Sequence, residues 1–506
     1  PDTVLKVAEE CGKKGVKGIV VITAGFGEIP GEGVARQEAL KDRLRHYGMR
    51  MVGPNCLGLL NADPEISLDA TFAPTFPPFG SVAFSSQSGA LGLAILDHAR
   101  QLGVGISQFV SMGNQADVTA SELIEYWEQD AATGVILLYM ENLGDPRKFM
   151  DVARRVSRSK PIAVVKSGRT AAGARAASSH TGSLAGADVA VDALLGQAGI
   201  IRTDTIDELF DVAMLLANQP VPRGPRVAVL TNAGGPGIMA TDACESRGLQ
   251  IATLSSETEA ALRLFLPAEA SVRNPVDMIA SASAASYEAS LRLLLADPAV
   301  DAVLVIFVTP IVTDAHDVAS AIRSAATGHQ KTVVTCLMGT HGVPAALSTL
   351  REGRFPSYAF PEAAARALAR AARYGEWLAR PEGLLPPLAV DHARARGALG
   401  SGPPRWLSPQ DTAELLGAFG IRTPRSVLAT TPEDAARAAV SIGGKLAVKL
   451  HSSTITHKSD VGGVILGVEG PEAVAGAFAS IAWRLESRGL RGEMEGVLVQ
   501  ELLPPG

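Results

Sequence analysis

The sequence predicts an α/β multidomain protein that contains two flavodoxin-like, doubly wound domains. Its length of 506 residues favours three to four domains. Hydrophobic residues make up 47% of the chain but aromatic residues only 5%, which is typical of layers rich in Ala, Val and Gly. Continuous apolar strands alternate with helical stretches, and this order indicates parallel sheets that are covered on both faces.

The first 60 residues predict about half of a doubly wound domain. A helix is followed by a strand at residues 18–23, a helix at 34–47 and a strand at 50–52. At the other end, residues 496–506 stop just after an apolar strand. We therefore expect both end domains to be incomplete, and we expect this fragment to be inactive alone.

The middle of the chain is an internal repeat. Residues 81–92 align without gaps on residues 226–237, and each segment predicts a strand, a turn of small residues and a helix. The later elements recur in the same order, through two further strands, 134–140 and 302–308. We place the two flavodoxin-like domains at residues 75–220 and 224–385.

Two polar residues follow strands of the first copy and have no counterpart in the second. Glu141 lies just past the third strand, and His180 lies after the fourth, among small and hydroxyl side chains. A neutral imidazole can attack a phosphoryl group and later release it, and a glutamate can fix the tautomer that does so. We interpret His180 as a phosphate carrier supported by Glu141. The alternatives are a loop histidine bonded to its neighbours and a solvated carboxylate at a strand end.

Both copies keep the turn that opens a helix. Backbone N–H groups at a helix N-terminus bind phosphate, and small residues let the anion approach. We therefore expect the two turns to face one another across the phosphate on His180, although an ordinary tight turn is the alternative for each motif. The candidate phosphate-binding residues are Gln87, Ser88, Gly89, Asn232, Gly234 and Gly235.

A new domain is expected after a segment rich in Pro, Gly, Ala and Arg. Residues 386–405 are assigned to a linker, and residues 406–506 to the next domain. Lys449 ends a predicted strand before a glycine-containing loop, a position that suits contact with a nucleotide phosphate as well as a solvated lysine. The P-loop motif is absent from the sequence.

Composition and charge exclude several other classes of function. The net charge is −6 and the basic residues are scattered, so we expect no nucleic-acid partner. The four cysteines are far apart, which favours neither disulfides nor zinc and indicates the reducing cytoplasm. No run of about 18 apolar residues is present, so no membrane span is expected. No signal peptide is recognised either.

These motifs and their order resemble those of the acyl-CoA synthetases that form a nucleoside diphosphate, a family whose relatives include acetate–CoA ligase (ADP-forming) and succinyl-CoA synthetase. The resemblance covers essentially the whole chain. Residues 51–58 resemble the end of the CoA-binding Rossmann domain, which implies the C-terminal half of that domain at 1–70 and places Asn55 and Cys56 on the CoA side. Residues 178–183 match the phosphohistidine segment, and residues 139–141 match the supporting glutamate.

The last hundred residues resemble the first part of an ATP-grasp domain. The resemblance implies that Lys449 binds a nucleotide phosphate and that Gln500 and Glu501 form the hinge beside adenine. It also implies that His457, in the loop 457–463, is a second phosphate carrier. The family's magnesium-binding carboxylates would lie beyond Gly506, so no metal ligand is expected within the chain.

The resemblance implies a reversible acid–thiol ligase. A small carboxylic acid, CoA and ATP would give acyl-CoA, ADP and phosphate through an acyl phosphate and a phosphohistidine, with Mg²⁺ offsetting charge beside ATP. A homodimer is expected by analogy, ATP is favoured over GTP, and the acid is not specified. The alternative is a non-catalytic regulatory part of a protein acetyltransferase that senses CoA or acyl-CoA.

Overall fold

The fold is described from a computed structural model of the chain. It describes residues 1–170, 172–173, 175, 188–310, 313–339, 343–383, 386–402 and 406–504. The chain divides into two compact units, Pro1–Pro381 and Glu382–Gly506. His180 lies outside the described residues.

The helices and strands of the first unit alternate along most of its length. Its described helices are α1 (Val4–Lys13), α2 (Glu32–Tyr47), α3 (Gly89–Leu102), α4 (Ala120–Gln129), α5 (Pro146–Val156), α6 (Asp188–Gln197), α7 (Ile206–Asn218), α8 (Gly234–Glu245), α9 (Ser256–Arg263), α10 (Ala284–Ala296), α11 (Ala315–Ala326), α12 (Val343–Glu352) and α13 (Pro361–Ala379). Its described strands are β1 (Gly18–Val20), β2 (Arg50–Val52), β3 (Gly58–Asn61), β4 (Leu68–Thr71), β5 (Phe79–Ser86), β6 (Ile106–Ser111), β7 (Val135–Met140), β8 (Ile162–Lys166), β9 (Ile201–Thr203), β10 (Arg226–Thr231), β11 (Gln250–Ile251), β12 (Val276–Asp277), β13 (Ala302–Val308), β14 (Thr332–Met338) and β15 (Ser357–Tyr358).

The N-terminal part consists of the parallel pair β1 and β2 with helices α1 and α2. Strand β1 ends three residues earlier than predicted, whereas β2 has the predicted bounds. Helix α2 ends at Gly48, whose φ of +63° is the left-handed conformation that favours glycine after a helix. Leu40 and Leu44 of α2 and Met51 of β2 are buried in one small core.

The first doubly wound sheet has the strand order β4-β3-β6-β5-β7-β8-β9. Counted from β5, the five strands β6-β5-β7-β8-β9 have the flavodoxin order 2-1-3-4-5 and are parallel. The predicted flavodoxin-like fold is therefore confirmed for this part of the chain. The hairpin of β3 and β4 adds an antiparallel edge that the sequence analysis did not predict.

The second doubly wound sheet repeats this arrangement. Its order is β11-β10-β13-β14-β15, with β12 beside β10, and its pairings are parallel. Successive side chains of β13 enter the two cores on opposite faces: Val303, Val305 and Phe307 in one, Leu304 and Ile306 in the other. A strand buried on both faces has no polar face, which is why it was recognisable as a continuous apolar run.

The second unit contains a four-stranded antiparallel sheet. Its described elements are α14 (His392–Leu399), α15 (Pro409–Ala418), α16 (Pro432–Ile442), α17 (Pro471–Glu486), a short 3₁₀ helix (Arg491–Glu493) and the strands β16 (Ser426–Ala429), β17 (Lys445–His451), β18 (Val464–Glu469) and β19 (Gly496–Glu501). The strand order is β16-β19-β17-β18, and residues of α16 and α17 pack in the core of this sheet.

The segment 386–405, which the sequence analysis assigned to a linker, contains helix α14. The Asp391 side chain caps it by accepting a hydrogen bond from the Arg394 N–H, and the Asp391 N–H donates to the carbonyl of Ala418 at the end of α15. Only the small side chains of Ala395 and Ala398 are buried on α14, so the helix has little apolar periodicity. The sequence analysis did not anticipate this helix because the contact with α15 is not visible in the local pattern, and the assignment of 386–405 to a linker stays a prediction.

Candidate active site

A small polar cavity lies where the N-terminal part meets the carboxyl ends of the first doubly wound sheet. Ligand crevices in open α/β sheets form at such ends. The cavity has a volume of about 130 Å³. It brings together three residues that the sequence analysis assigned to the site, namely Asn55, Gln87 and Glu141. The full lining consists of Gly27, Glu28, Gln37, Asn55, Gln87, Gly113, Asn114, Glu141 and Asn142.

The side chain of Gln87 joins two neighbouring strand ends. Its Oε1 accepts hydrogen bonds from the backbone N–H groups of Glu141 at 2.6 Å and Asn142 at 3.0 Å, and its Nε2 donates to the Asn142 carbonyl at 2.8 Å. Gln87 is buried. Its amide therefore fixes the backbone that carries Glu141, and its assignment to phosphate binding stays a prediction.

Asn232 has the same role in the second copy of the repeat. Its Oδ1 accepts from the Val308 N–H and its Nδ2 donates to the Val308 carbonyl, both at 2.9 Å. Val308 ends β13, which corresponds to β7 in the first copy. The two aligned side-chain amides thus both hydrogen-bond to the backbone at the end of a neighbouring strand. The sequence analysis expected these two residues to share a role in phosphate binding instead.

The turns that open α3 and α8 are also built alike. The hydroxyl of Ser86 donates to the Ser88 carbonyl and accepts from the Ser88 N–H, and Thr231 makes the same pair of hydrogen bonds with Ala233. The Ser88 hydroxyl further accepts from the Leu91 N–H as the cap of α3. The polar side chains of these turns thus hold the helix starts in place.

The glycines of the two turns lie at the beginnings of the helices. A Cβ on Gly89 would lie 3.3 Å from the Leu57 backbone nitrogen, so a larger residue would press on the loop that follows Cys56. Gly234 and Gly235 open α8, and a Cβ on Gly235 would meet open space. The predicted roles of these glycines toward phosphate stay predictions.

Asn55 lies in a loop that is interlocked with the loop after β6. Its backbone N–H donates to the Thr23 carbonyl, and its Nδ2 donates to Asn114 Oδ1 at 3.3 Å. Gly113, at a φ of +55°, passes so close that a Cβ would lie 2.2 Å from the Pro54 carbonyl oxygen. Only glycine fits there, and the close approach places Asn55 and Asn114 side by side.

Cys56 follows Asn55 but does not line the cavity. Its Sγ lies 3.4 Å from the carbonyl oxygen of Val21, and the side chain is buried. Burial raises the pKa of the Cys56 thiol to about 11. The assignment of Cys56 to the CoA side stays a prediction, and this burial does not support contact through the thiol.

Glu28 is a cavity residue that the sequence analysis missed. Its Oε1 accepts from the backbone N–H groups of Gly25 at 2.5 Å and Phe26 at 3.2 Å, and its Oε2 accepts from Asn114 Nδ2 at 2.5 Å. Burial opposes ionisation of Glu28, but these hydrogen bonds outweigh it and lower its pKa. The available signal was its place after the first predicted strand, in the glycine-containing stretch 25–31.

Lys166 is a second missed residue close to Glu141. It ends β8, where it pairs with Met140, and it is buried, with Nζ donating to the Ser167 carbonyl at 2.5 Å. Burial lowers the pKa of Lys166, whereas the carboxylates of Asp188 and Glu141 oppose this shift. The structure therefore places near Glu141 a cationic group that the sequence analysis did not single out.

In the second unit, two of the predicted nucleotide-side residues touch one another. Lys449 Nζ donates to Gln500 Oε1 at 2.5 Å across the neighbouring strands β17 and β19. Oε2 of Glu501 lies 3.4 Å from Nε of Arg425. His457 is exposed in the loop after β17, whereas His451 lies 3.4 Å from the Glu495 carboxylate. The relation of His180 to Glu141 lies outside the described residues and stays a prediction.

The described residues also bear on metals and membranes. No group of three or more His, Cys, Asp or Glu side chains there is arranged to hold a metal ion. Within the same residues, no helix combines the length and the apolar character needed to cross a bilayer.

Four family profiles match successive parts of the chain. They are the CoA binding domain at residues 1–62, the succinyl-CoA ligase like flavodoxin domain at 79–216, the Ligase-CoA domain at 227–386 and the ATP-grasp domain at 398–506. Their order is the one that the resemblance implied.

Curated relatives and solved structures extend this similarity. Acetate–CoA ligase (ADP-forming) I of Archaeoglobus fulgidus is 40% identical over 99% of this chain and 72% of that protein. The 4-hydroxybutyrate–CoA ligase (ADP-forming) of Nitrosopumilus maritimus is 36% identical over 99% of this chain and 73% of that protein. The structure of Ca. Korarchaeum cryptofilum dinucleotide forming acetyl-coenzyme A synthetase 1, in complex with phosphate and ADP, is similar with a TM-score of 0.71 and 39% identity, covering 74% of this chain and 81% of that one.

Proposed function

Since the chain belongs to the family of ADP-forming acyl-CoA ligases, we propose that it converts a small carboxylic acid, CoA and ATP into acyl-CoA, ADP and phosphate. The relatives are ligases, and nothing in the comparisons supports the regulatory alternative. The observation that carries the proposal is the cavity that gathers Asn55, Gln87 and Glu141 at the carboxyl ends of the first doubly wound sheet.

The proposed chemistry moves one phosphoryl group through two histidines. The imidazole of His457 attacks the γ-phosphorus of ATP and releases ADP, and His180 then takes the group from His457. A carboxylate oxygen of the acid attacks phosphorus on His180, which frees the imidazole and forms an acyl phosphate. The thiolate of CoA attacks the acyl carbon and releases phosphate, so the acid and CoA are joined at the expense of one ATP.

The chain's own residues hold and orient these reactants. Glu141 is proposed to accept a hydrogen bond from one ring nitrogen of His180, which directs the other nitrogen toward phosphorus. The fixed backbone around Glu141, held by Gln87, supports this role. Asn55 is proposed on the CoA side, and Lys449, Gln500 and Glu501 on the nucleotide side.

The helix starts are proposed to stabilise the travelling phosphate. The backbone N–H groups at Gly89 and at Gly234–Gly235 present partial positive charge without a mobile side chain. Two such ends offset only part of the charge of a phosphoryl group, which leaves a phosphohistidine reactive enough to pass its group on.

Three further features are proposals from the family. Mg²⁺ is proposed to accompany ATP and to offset phosphate charge, a homodimer is proposed as the assembly, and the cytoplasm as the compartment. The relatives named above differ in their acids, so their names do not decide which acid this chain activates.

Labelling from both ends of the reaction tests the relay. In the complete protein, γ-labelled ATP should label histidine in the wild type, and His457→Ala should block this labelling. Labelled phosphate with acyl-CoA should label the wild type and His457→Ala but not His180→Ala. His451→Ala is the matched control, because His451 lies on the same strand–loop junction and is paired with Glu495. Equal labelling of His180→Ala and wild type from acyl-CoA and phosphate would refute the relay.

A further inference from the structure

The cavity beside Glu141 has an unusual lining for a site that handles anionic reactants. Its nine described lining residues are three asparagines, two glutamines, two glutamates and two glycines. Among these described residues, none carries an apolar side chain and none is Lys, Arg or His. The described part of the lining is therefore polar, and its formal charge is negative.

The part of this lining around Glu28 is unsuited to the phosphoryl group itself. A phosphoryl group near neutral pH carries about −1.5 to −2 charges, and Glu28 would repel it at short range. The lowered pKa of Glu28 keeps that carboxylate ionised at neutral pH. The cavity instead suits an uncharged group that donates or accepts hydrogen bonds.

The hydrogen bonds inside the cavity leave particular groups available. Oε1 of Glu28 accepts hydrogen bonds from two backbone N–H groups, and among the described side chains Oε2 accepts one, from Asn114. Oε1 of Gln37 accepts from the Gly27 N–H and from Asn114 Nδ2, both at 3.1 Å. Within the described part of the chain, no protein group accepts from Gln37 Nε2. A carboxylate acceptor and an amide donor are thus both open to a ligand.

The cavity has room for part of a ligand. Its volume of about 130 Å³ is well above the about 10–15 Å³ that a single water molecule requires. A short acyl chain is therefore a suitable occupant.

We propose that this cavity receives the acyl chain of the acid, and that Glu28 and Gln37 select a short acid bearing a hydroxyl group over an apolar acid of equal length. The hydroxyl donates to Glu28 Oε2 and accepts from Gln37 Nε2. This inference rests on the proposed ligase function. A site built to hydrogen-bond a substrate hydroxyl disfavours the analogue that lacks it, because the partly buried Glu28 and Gln37 would then face an apolar chain that cannot hydrogen-bond to them.

Matched pairs of acids test the selection in the complete protein. We compare kcat/KM for β-hydroxypropionate with propionate and for glycolate with acetate, by CoA-dependent ADP formation, with phenylacetate as the large apolar acid. The hydroxy acid of each pair should be preferred by about tenfold, the usual effect of a hydrogen bond to a charged group. Phenylacetate, which is apolar and lacks the hydroxyl, should also be a poorer substrate than either hydroxy acid.

Variants assign the preference to the two side chains. Glu28→Gln should raise KM for the hydroxy acids with a smaller change in kcat, and should shrink the preference. Gln37→Leu, which keeps a similar side-chain volume, should shift the preference toward propionate. It provides an independent test if the Glu28 variant fails to fold. Glu38→Gln removes the same charge at the exposed side chain that pairs with Lys41, and should keep the wild-type preference.

The outcomes separate this inference from the proposed function. Equal or better use of propionate or phenylacetate, or an unchanged preference in both variants, would overturn the selection while leaving the ligase function intact. Absence of CoA-dependent ADP formation with every acid, together with absence of histidine labelling, would overturn the ligase function and this inference with it.

Discussion

The side chain of Gln87 accepts a 2.6 Å hydrogen bond from the backbone N–H of Glu141. This contact ties the turn that opens α3 to the backbone just past β7 that carries the candidate catalytic carboxylate. The aligned Asn232 makes the corresponding contact with Val308. The duplicated scaffold therefore carries one strand-joining amide in each copy, but only the first of these amides positions a glutamate.

Replacement of Gln87 should loosen the backbone that carries Glu141. Gln87→Leu leaves three partly buried backbone polar groups of Glu141 and Asn142 without this partner, so the loss should be at the low end of the about 1–3 kcal/mol that an unsatisfied buried group costs. We expect faster amide hydrogen exchange at residues 139–143, a lower melting temperature and a lower kcat. Hydrogen exchange with mass spectrometry measures the local effect.

Asn232→Leu is the matched control for this prediction. It removes two equivalent hydrogen bonds from the second copy, so it should lower the melting temperature and speed exchange near Val308. Exchange at residues 139–143 should stay at the wild-type rate. If both variants changed residues 139–143 to the same extent, the specific link between Gln87 and Glu141 would be wrong.

Stability should depend on pH through Glu28. Burial opposes ionisation of this group, but its hydrogen bonds prevail, so the folded-state pKa lies below the ordinary value of 4.5. A depressed folded-state pKa contributes stability that is complete above the unfolded-state pKa and is lost as pH falls through the folded-state pKa. Glu28→Gln should therefore be less stable than wild type at neutral pH, and the difference should shrink in acid.

Urea unfolding of the two proteins from neutral pH down to about pH 3 measures this dependence. Glu38→Gln, at an exposed position, should follow the wild-type curve. A stability difference between Glu28→Gln and wild type that grew as the pH fell would show that the sign of the Glu28 contribution is the opposite of the one expected here.

The cysteines should differ sharply in reactivity. Burial raises the pKa of Cys56 to about 11 and those of Cys244 and Cys336 to about 12, so these three thiols carry almost no thiolate near neutral pH. Cys11 is only partly buried. Iodoacetamide should therefore modify Cys11 first in the native protein, as read by peptide mass spectrometry.

Unfolding in urea before alkylation provides the control, since all four thiols should then react alike. Modification of Cys56 in the native protein at the rate of Cys11 would mean that the loop after β2 opens readily. It would also revive Cys56 as a candidate contact for CoA.

Lys449 should contribute to nucleotide binding. Its ammonium group is held by Gln500 at 2.5 Å, and Lys449→Met removes both this hydrogen bond and the positive charge. A hydrogen bond between charged groups contributes about 1.5–3 kcal/mol, so KM for ATP should rise about tenfold or more. Lys445→Met, at the exposed start of the same strand, is the matched control and should keep the wild-type KM. A similar rise in both variants would indicate a general loss of charge rather than a specific contact.

Much of the scaffold was predictable because its strands are buried on both faces. The run at β13 had the predicted bounds, and the repeat alignment correctly paired the turns before α3 and α8. The hairpin of β3 and β4 was missed because its strands are four residues each and neither is buried throughout. Helix α14 was missed because its stability depends on contact with α15.

The candidate site was only partly predictable. Glu141, Asn55 and Gln87 were recognised as candidates, but Glu28 and Asn114 were not expected to share a cavity with them. Their hydrogen bond joins residues 86 positions apart, and no local pattern encodes such a contact. Gln87 and Asn232 were assigned to phosphate, whereas their amides bond to the backbone of a neighbouring strand.

The sequence by itself determined the class of layers, the duplication and the family, because hydrophobic periodicity, small-residue turns and motif order are properties of adjacent residues. The tertiary structure alone decided which polar groups line the cavity and which are used up in holding strands together. A side chain's chemistry depends on its hydrogen-bond partners and its distance from water, and both are set by segments that meet only when the chain folds.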